Sequence, residues 1–347
     1  MEQRVNPEGA NGPDHRAQNH SNQPVSKRDH ALSEVSHDGG EKYQPLGSHL
    51  GIILQQACEG RLSEINWFRT DWQRGGALTG YATYREDNGD EKPVVVKLPV
   101  PPHEREWLLR LQDAGDIVPV VYAHGESLGG YDFAWVVMER LPHGPLGAAW
   151  GGLEFDLLVE SAGRFYHASS QVPVRGKPQK RDWDMIFEKA RSQIHNNALP
   201  ESQRWKKALK KVHRKLSHWI DVWDSRPLEY WCHGDLHLAN AMTRLPAPSG
   251  PAILFDFAEI RPGHWVEDAV YFEHLYWARR ERLEGRKLCK QIAQQRKRLG
   301  LKNDKHWPTY AQVKRNLLAM SLPARLAKDG DPQTVIAALD VLERELG

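Results

Sequence analysis

Cysteine is scarce: Cys58, Cys232 and Cys289 are odd in number and far apart in a chain of 347 residues. That excludes a disulfide framework and points to free thiols in a reducing, cytoplasmic setting. Long hydrophobic runs are missing too. Hydrophobic residues make up 40% of the chain, yet no apolar run reaches the roughly 20 residues that a membrane span needs. The first 30 residues hold no apolar signal core and mix acidic with basic residues, so neither a secretory nor a transit peptide is expected. Nor is there a large excess of one charge. The net charge of +2 argues against a general nucleic-acid binder. Tryptophan is the opposite case. Its 13 copies are read as filling for cores and seams, because a buried indole removes a large apolar area from water.

Residues 1–44 are rich in Asn, Gln, Ser, Gly, His and Asp and read as a disordered tail, unable to bury enough surface to offset its ordering entropy. From about residue 45 the pattern changes. Leu50, Ile53, Leu54 and Ala57 fall at helical spacing. Strand-like runs follow at 65–68, 78–84, 93–98, 118–122 and 133–138, the strongest being Pro93-Val94-Val95-Val96-Lys97-Leu98. Pro101-Pro102 opens a helix over about 102–113. Past residue 141 the spacing is helical at 153–169, 182–197, 201–223, 265–298, 308–320 and 332–346. In the last of these Asp331 is the N-cap, Pro332 takes the first helical position, and Val335, Leu339, Leu342 and Leu346 line one face. The segments thus divide into a small mixed sheet with one inserted helix and a larger helical part.

The most informative stretch is His233-Gly234-Asp235-Leu236-His237-Leu238-Ala239-Asn240, followed by Ile253-Leu254-Phe255-Asp256-Phe257. It supplies an Asp, an Asn five residues on, and a second Asp after an apolar run. Phosphoryl transfer of the kinase type needs that set. One carboxylate takes the acceptor hydroxyl's proton, while an amide and another carboxylate hold magnesium against a nucleotide's phosphates. Asp235 is read as the base, in a loop whose start is fixed by Tyr230-Trp231-Cys232. Asn240 and Asp256 are read as hard oxygen ligands for Mg²⁺. The interval between them leaves room for a hairpin turned by Pro246, Pro248, Ser249 and Gly250.

This block resembles the catalytic core of the aminoglycoside phosphotransferase / choline kinase-like family, and the resemblance extends over roughly residues 60–275. It implies an α+β, bilobal protein-kinase-like fold, with a small β-rich N-lobe (45–139, nucleotide-binding) and a larger, mainly helical C-lobe (140–347, catalytic loop and acceptor site). It matches Lys97 to the phosphate-contacting lysine and Glu104 to the helix glutamate that holds it; Glu106, two positions on, faces elsewhere. Met138-Glu139-Arg140-Leu141 resembles the hinge between lobes, where backbone groups of Glu139 and Leu141 would meet an adenine edge. Phosphate cover would come from Gly75 and Gly76, which can equally be hairpin turn residues. His233 is expected to support the loop backbone. Asp268 is expected to be structural, capping or tethering a helix beside the loop. The residue before Asp235 is Gly234 where a protein kinase has Arg, which favours a small-molecule kinase.

The resemblance therefore implies ATP or GTP with Mg²⁺ as cofactors and transfer of the γ-phosphoryl group to a hydroxyl of a small acceptor such as a sugar, amino alcohol or aminoglycoside-like compound. Two other readings stay open. A catalytically inactive kinase-like nucleotide-binding module would share these residues. A metal-dependent hydrolase would use His233, Asp235 and His237 alternating along a strand. Glu267, Glu273 and His274 are expected to approach the acceptor pocket, and the basic loop 175–181 to lie exposed on the acceptor side. Residues 279–298 hold nine Lys or Arg against Glu281 and Glu284. They are read as a solvated face, or, if they border the acceptor, as a sign that it is anionic.

Overall fold

The computed structural model describes residues 46–347, apart from 70–76, 149–150, 177, 179, 197–198 and 326–330. The expected tail (1–44) and the two glycines assigned to phosphate cover, Gly75 and Gly76, lie outside the described residues. Helix α1 (Leu46–Ala57) comes first, then β1 (Asn66–Arg69), β2 (Leu78–Arg85) and β3 (Glu91–Leu98). Helix α2 (Pro102–Arg110) is inserted before β4 (Val121–Gly125) and β5 (Trp135–Glu139). These strands form one sheet, ordered β1-β2-β3-β5-β4, with every neighbouring pair antiparallel.

Strand alternation decides which side chains reach the site. On β3, Val94, Val96 and Leu98 are buried in a cluster with Leu50, Leu54 and Leu62. Lys97 therefore projects from the opposite face, where its register partner Val136 belongs to the larger core. Helix α2 lies on that side. Pro101 caps it, Pro102 fills its first turn, and Trp107, Leu108 and Leu111 enter the larger core. Glu104 is three and four residues before Trp107 and Leu108, so it shares their face.

The rest is mainly helical: α3 (Glu154–Ser169), α4 (Trp183–Asn196), α5 (Ser202–Asp224), α6 (Val266–His274), α7 (Leu288–Arg298), α8 (Trp307–Arg325) and α9 (Pro332–Leu346). Two short hairpin-like ladders are set among them. One pairs β6 (Tyr230–Cys232) with β9 (Arg261–Gly263), and the other pairs β7 (Ala241–Thr243) with β8 (Ala252–Leu254). The second is the hairpin expected between Asn240 and Asp256. Helix α9 has the expected bounds, with Gln333 N donating to Asp331 Oδ1 at 3.0 Å. All three cysteines are free and buried. No described helix is long and apolar enough to cross a membrane.

Two expectations fail for local reasons. The run at 118–122 becomes a strand only from Val121, because Ile117 and Val118 sink into the core and Pro119 has no N–H for a ladder. The long helix expected over 265–298 is broken. After α6 comes a 3₁₀ segment (Trp277–Leu283) in which Arg279 leaves helical geometry, and Glu284 and Gly285 at φ +47° and +77° end it.

Burial has a pH consequence. His233 and His264 are fully buried; burial pushes His233 down to about 4 and His264, with Arg296 beside it, down to about 3. Unfolded histidine titrates near 6.5. Their stabilising contribution is present above pH 6.5 and is lost as pH falls towards 3–4, at up to about 1.4 kcal/mol per pH unit for each proton. Unfolding midpoints measured from pH 7 to 4 should therefore drop. His264→Asn, which keeps an acceptor for Val266 N–H, should flatten that slope by about one proton; an unchanged slope contradicts this account.

Candidate active site

The loop between β6 and β7 carries Asp235. It is anchored from below by Asp268, on α6, whose carboxylate accepts from His233 N (2.8 Å), Gly234 N (2.9 Å) and Tyr166 OH (3.0 Å). Asp268 therefore tethers the Asp235 loop; it makes no side-chain cap of a helix. Burial pushes its carboxyl up, against the pull of Arg261 and the two amides. Gly234 is required at its position. It sits at φ +88°, and a Cβ there would lie 2.1 Å from Glu259 O and 2.4 Å from Arg261 Nη1. His233 is buried against Phe165 and Phe257. It supports the loop from inside and does not face the cleft.

Asp235 itself is half-exposed and well supplied with donors. Tyr271 OH donates to Oδ1 at 2.6 Å, Asn240 Nδ2 to Oδ2 at 2.9 Å, and His237 Nε2 lies 3.3 Å from Oδ2. His237, followed by Tyr271 and Asn240, holds the carboxyl well below its usual range, against its partial burial. A carboxylate has about four lone-pair sites. Three are engaged, which leaves one for a hydroxyl. Tyr271 was not foreseen, although it lies one turn along α6 from Asp268.

Beyond the β7–β8 hairpin, Phe255 N donates to Asn240 O at 3.2 Å, so Asn240 and Asp256 end adjacent strands. Asp256 adopts φ +63°, a left-handed conformation that Asp tolerates better than most residues. Its Oδ1 lies 3.1 Å from Lys97 Nζ, and Lys97 Nζ lies 2.6 Å from Glu104 Oε1. Glu104 is 1% exposed, whereas Asp256 is 42% exposed. Burial pulls the Lys97 ammonium down, and the Glu104 and Asp256 carboxylates outweigh it, so its pKa is raised. Burial pushes Glu104 up against the pull of Lys97. Glu106 is exposed and takes no part. His103 adds a bond to Ala258 O, so α2 reaches the turn that carries Asp256 once directly and once through Lys97.

The segment expected to be the hinge, Met138 to Leu141, is also constrained. Glu139 N donates to Val120 O and Arg140 N to Pro93 O, while Leu141 N–H has no acceptor among the described residues. Leu141 is thus the free donor of this segment, with Met138 partly buried beside the larger core. The Glu139 side chain is taken by Arg244, on the hairpin, through two 2.7 Å bonds.

Asn240 and Asp256 fit a magnesium site by their chemistry. The Asn240 amide nitrogen is committed to Asp235, also reaching its carbonyl at 3.0 Å, and no described donor takes its Oδ1. Asp256 likewise keeps one oxygen clear of Lys97. Two such oxygens suit Mg²⁺, which retains waters and phosphate oxygens in its shell. The hydrolase arrangement is not formed. Its segment is a loop, His233 points into the core, and no group of three or more His, Cys, Asp or Glu among the described residues could hold a metal.

Three residues expected near the acceptor already have protein partners. Glu267 is buried with Arg226 (3.1 Å), Glu273 is bound bidentately by Arg315 (2.7 and 2.8 Å), and His274 bonds Tyr271 O. The basic stretch 279–298 makes no described bond to the Asp235 loop; Arg286 pairs with Asp156 and Glu284, and Arg296 is buried against Tyr230 and Trp265. A cavity of about 660 Å³ between α4 and α5 shares no residue with this site.

Comparison with known proteins places this geometry. The model of the phosphotransferase enzyme family matches residues 79–319. Among solved structures, a protein from Ralstonia eutropha JMP134 with a provisional assignment as an aminoglycoside phosphotransferase aligns over 86% of this chain and 96% of its own, at 16% identity and TM-score 0.52. The GDP complex of aminoglycoside 2'-phosphotransferase-IIIa covers 86% and 97%, at 15% identity and TM-score 0.51. A microcompartment-associated aminopropanol kinase covers 85% and 95%, at 16% identity and TM-score 0.50. No curated protein matches the chain. The fold is the bilobal, protein-kinase-like α+β fold. With a family match spanning most of the chain, this protein belongs to the phosphotransferase enzyme family, whose members act on small-molecule hydroxyl groups.

Proposed function

We propose that the chain transfers the γ-phosphoryl group of ATP or GTP, with Mg²⁺, to a hydroxyl of a small acceptor, and that Asp235 is the base. The observation that carries this reading is the joint placement of Lys97, Glu104 and Asp256 in one ion-paired group, next to the strand end that holds Asn240 and the Asp235 loop. Residues 45–139 are assigned to a nucleotide-binding lobe and 140–347 to the lobe of the catalytic loop. Leu141 N–H and the Glu139 carbonyl would receive the base edge, and Lys97 would meet the phosphates. Asn240 and Asp256 would hold Mg²⁺, which neutralises charge on the phosphates.

Asp235 then orients the acceptor oxygen and receives its proton as the new P–O bond forms. Its depressed pKa makes it a weak base in the free enzyme, which suits a loose transition state where the proton moves late. Most of the acceleration comes from positioning and charge neutralisation. The inactive-module reading predicts nucleotide binding without turnover, so release of nucleoside diphosphate in the presence of an acceptor separates the two.

The first test is thermal stability with and without Mg-ATP and Mg-GTP. At about 100-fold excess over Kd, the wild type should gain roughly 2.7 kcal/mol, a rise of about 5 °C. The gain should need magnesium and should vanish in Asp256→Ala. A folded wild type that shifts with neither nucleotide would overturn the proposal.

A further inference from the structure

Next to the Asp235 loop cations outnumber anions, although Glu259 faces Arg181 and Arg261, and Asp268 faces Arg261. A cavity of about 110 Å³ is lined by Lys180, Arg181, Arg226 and Lys314, against Asp224 and Glu267, with Trp183 and Trp223 as walls. Glu267 is already held by Arg226 Nε and Nη2 at 3.2 and 3.1 Å and by His264 N at 3.1 Å. Arg261 approaches it at 3.6 Å. Lys314 is 5% exposed, yet among the described residues it has no hydrogen bond or ion pair; its ammonium lies 4.8 Å from the Trp223 ring centroid and 5.6 Å from that of Trp183. Arg181 likewise has no described ion pair, only the face of Trp183 at 5.9 Å. Burial, with Arg181, Arg261 and Arg226 facing it, brings Lys314 down to about 7 against the pull of Glu267.

Arg261 stands behind the Glu267 wall of this cavity, between it and the Asp235 loop. Arg261 touches Glu267 at one end of its guanidinium and packs against Gly234, the neighbour of Asp235, at the other. Arg325, at the end of α8, adds a further cation near Tyr271 and Arg181. Cations brought this close destabilise one another unless an anion joins them. A polycationic acceptor such as an aminoglycoside would meet repulsion here, since recognition favours opposite charge.

We propose that the acceptor is an alcohol that already carries an anionic group, a phosphate or a carboxylate, and that Arg181, Arg261 and Lys314 bind that group while its hydroxyl faces Asp235. The inference rests on the kinase reading above. In the transfer, the γ-phosphorus breaks its bond to the bridging oxygen of the nucleotide and forms one to the acceptor oxygen. The hydroxyl proton passes to Asp235 and then to solvent, and the nucleoside diphosphate leaves. The product is an acceptor bearing two anionic groups.

The test begins with inorganic phosphate and with acetate, added without nucleotide at constant ionic strength against chloride. One or both should raise the melting temperature of the wild type, and the rise should be lost in Lys314→Met and in Arg181→Ala, with the Mg-nucleotide shift retained in each variant. Whichever anion acts identifies the group. A wild type that responds to neither anion, or variants that respond as fully as the wild type, would overturn the proposal. Absence of the Mg-nucleotide shift in the wild type would instead sink the kinase reading. Nucleoside diphosphate release is then compared for glucose 6-phosphate against glucose, glycerate against glycerol, and kanamycin. The anionic partner should be preferred, and its KM should rise about tenfold or more in both variants with kcat nearly kept, the effect of losing one charge-assisted bond. Preference for glucose, glycerol or kanamycin would overturn the assignment.

Discussion

Asp235→Ala should lower the rate of phosphoryl transfer by about 10³-fold, within the range that a positioned proton acceptor contributes. The Mg-nucleotide thermal shift should survive. Asp235 is bonded to Tyr271, Asn240 and His237 and makes no described contact with Lys97 or Asp256. Its removal therefore leaves the ion-paired group on the other side of the cleft in place. Asn240 loses one of its two anchors but keeps the bond to the residue-235 carbonyl. Asp235→Asn should be impaired nearly as much, because an amide cannot take a proton from a hydroxyl. Full turnover in either variant, measured as nucleoside diphosphate release with a competent acceptor, would show that the base lies elsewhere.

Asp268→Ala should damage both stability and rate. Three donors buried around that carboxylate, two backbone amides and the Tyr166 hydroxyl, would lose their acceptor together. Unsatisfied buried groups cost about 1–3 kcal/mol each, so a loss of about 3 kcal/mol or more is expected, seen as a fall in midpoint denaturant concentration at constant slope. The loop would also lose its register beneath Asp235, and a misplacement of about 1 Å can cost 10²-fold in rate. Tyr166→Phe serves as the calibrating variant. It removes one donor only and should cost about 1 kcal/mol with little effect on kcat. An Asp268→Ala protein with wild-type stability and kcat would refute the tether.

Much of this arrangement was legible because the relevant residues obey short-range rules. The three valines before Lys97 forecast a strand whose alternation leaves the lysine on the other face. Glu104 came from the family resemblance, and helical spacing set aside Glu106, two positions on. The hairpin between Asn240 and Asp256 announced itself by its prolines, serine and glycine. What stayed hidden depends on contacts between distant segments. Tyr271 reaches Asp235 only because Asp268 docks α6 under the loop. Glu267 looked available as an acceptor contact, yet Arg226, 41 residues away, holds it in the interior. The cations beside the Asp235 loop come from the segment before α4, from β9 and from α8. No window of sequence contains them, whereas the conspicuous basic run at 279–298 turned out to serve its own neighbourhood. The start of β4 differs from the expected one for a similar reason, since burial of Val118 in the larger core overrode its strand propensity.

Arg244 spans parts that a two-lobed molecule usually lets move. Its guanidinium grips both oxygens of Glu139 and reaches Asp116, while Leu254 N–H is bonded to Ile117 O at 2.7 Å. The strand end that offers Leu141 N–H and the hairpin that ends in Asp256 are therefore stitched into a single frame. So joined, these two ends are held at a fixed distance from one another.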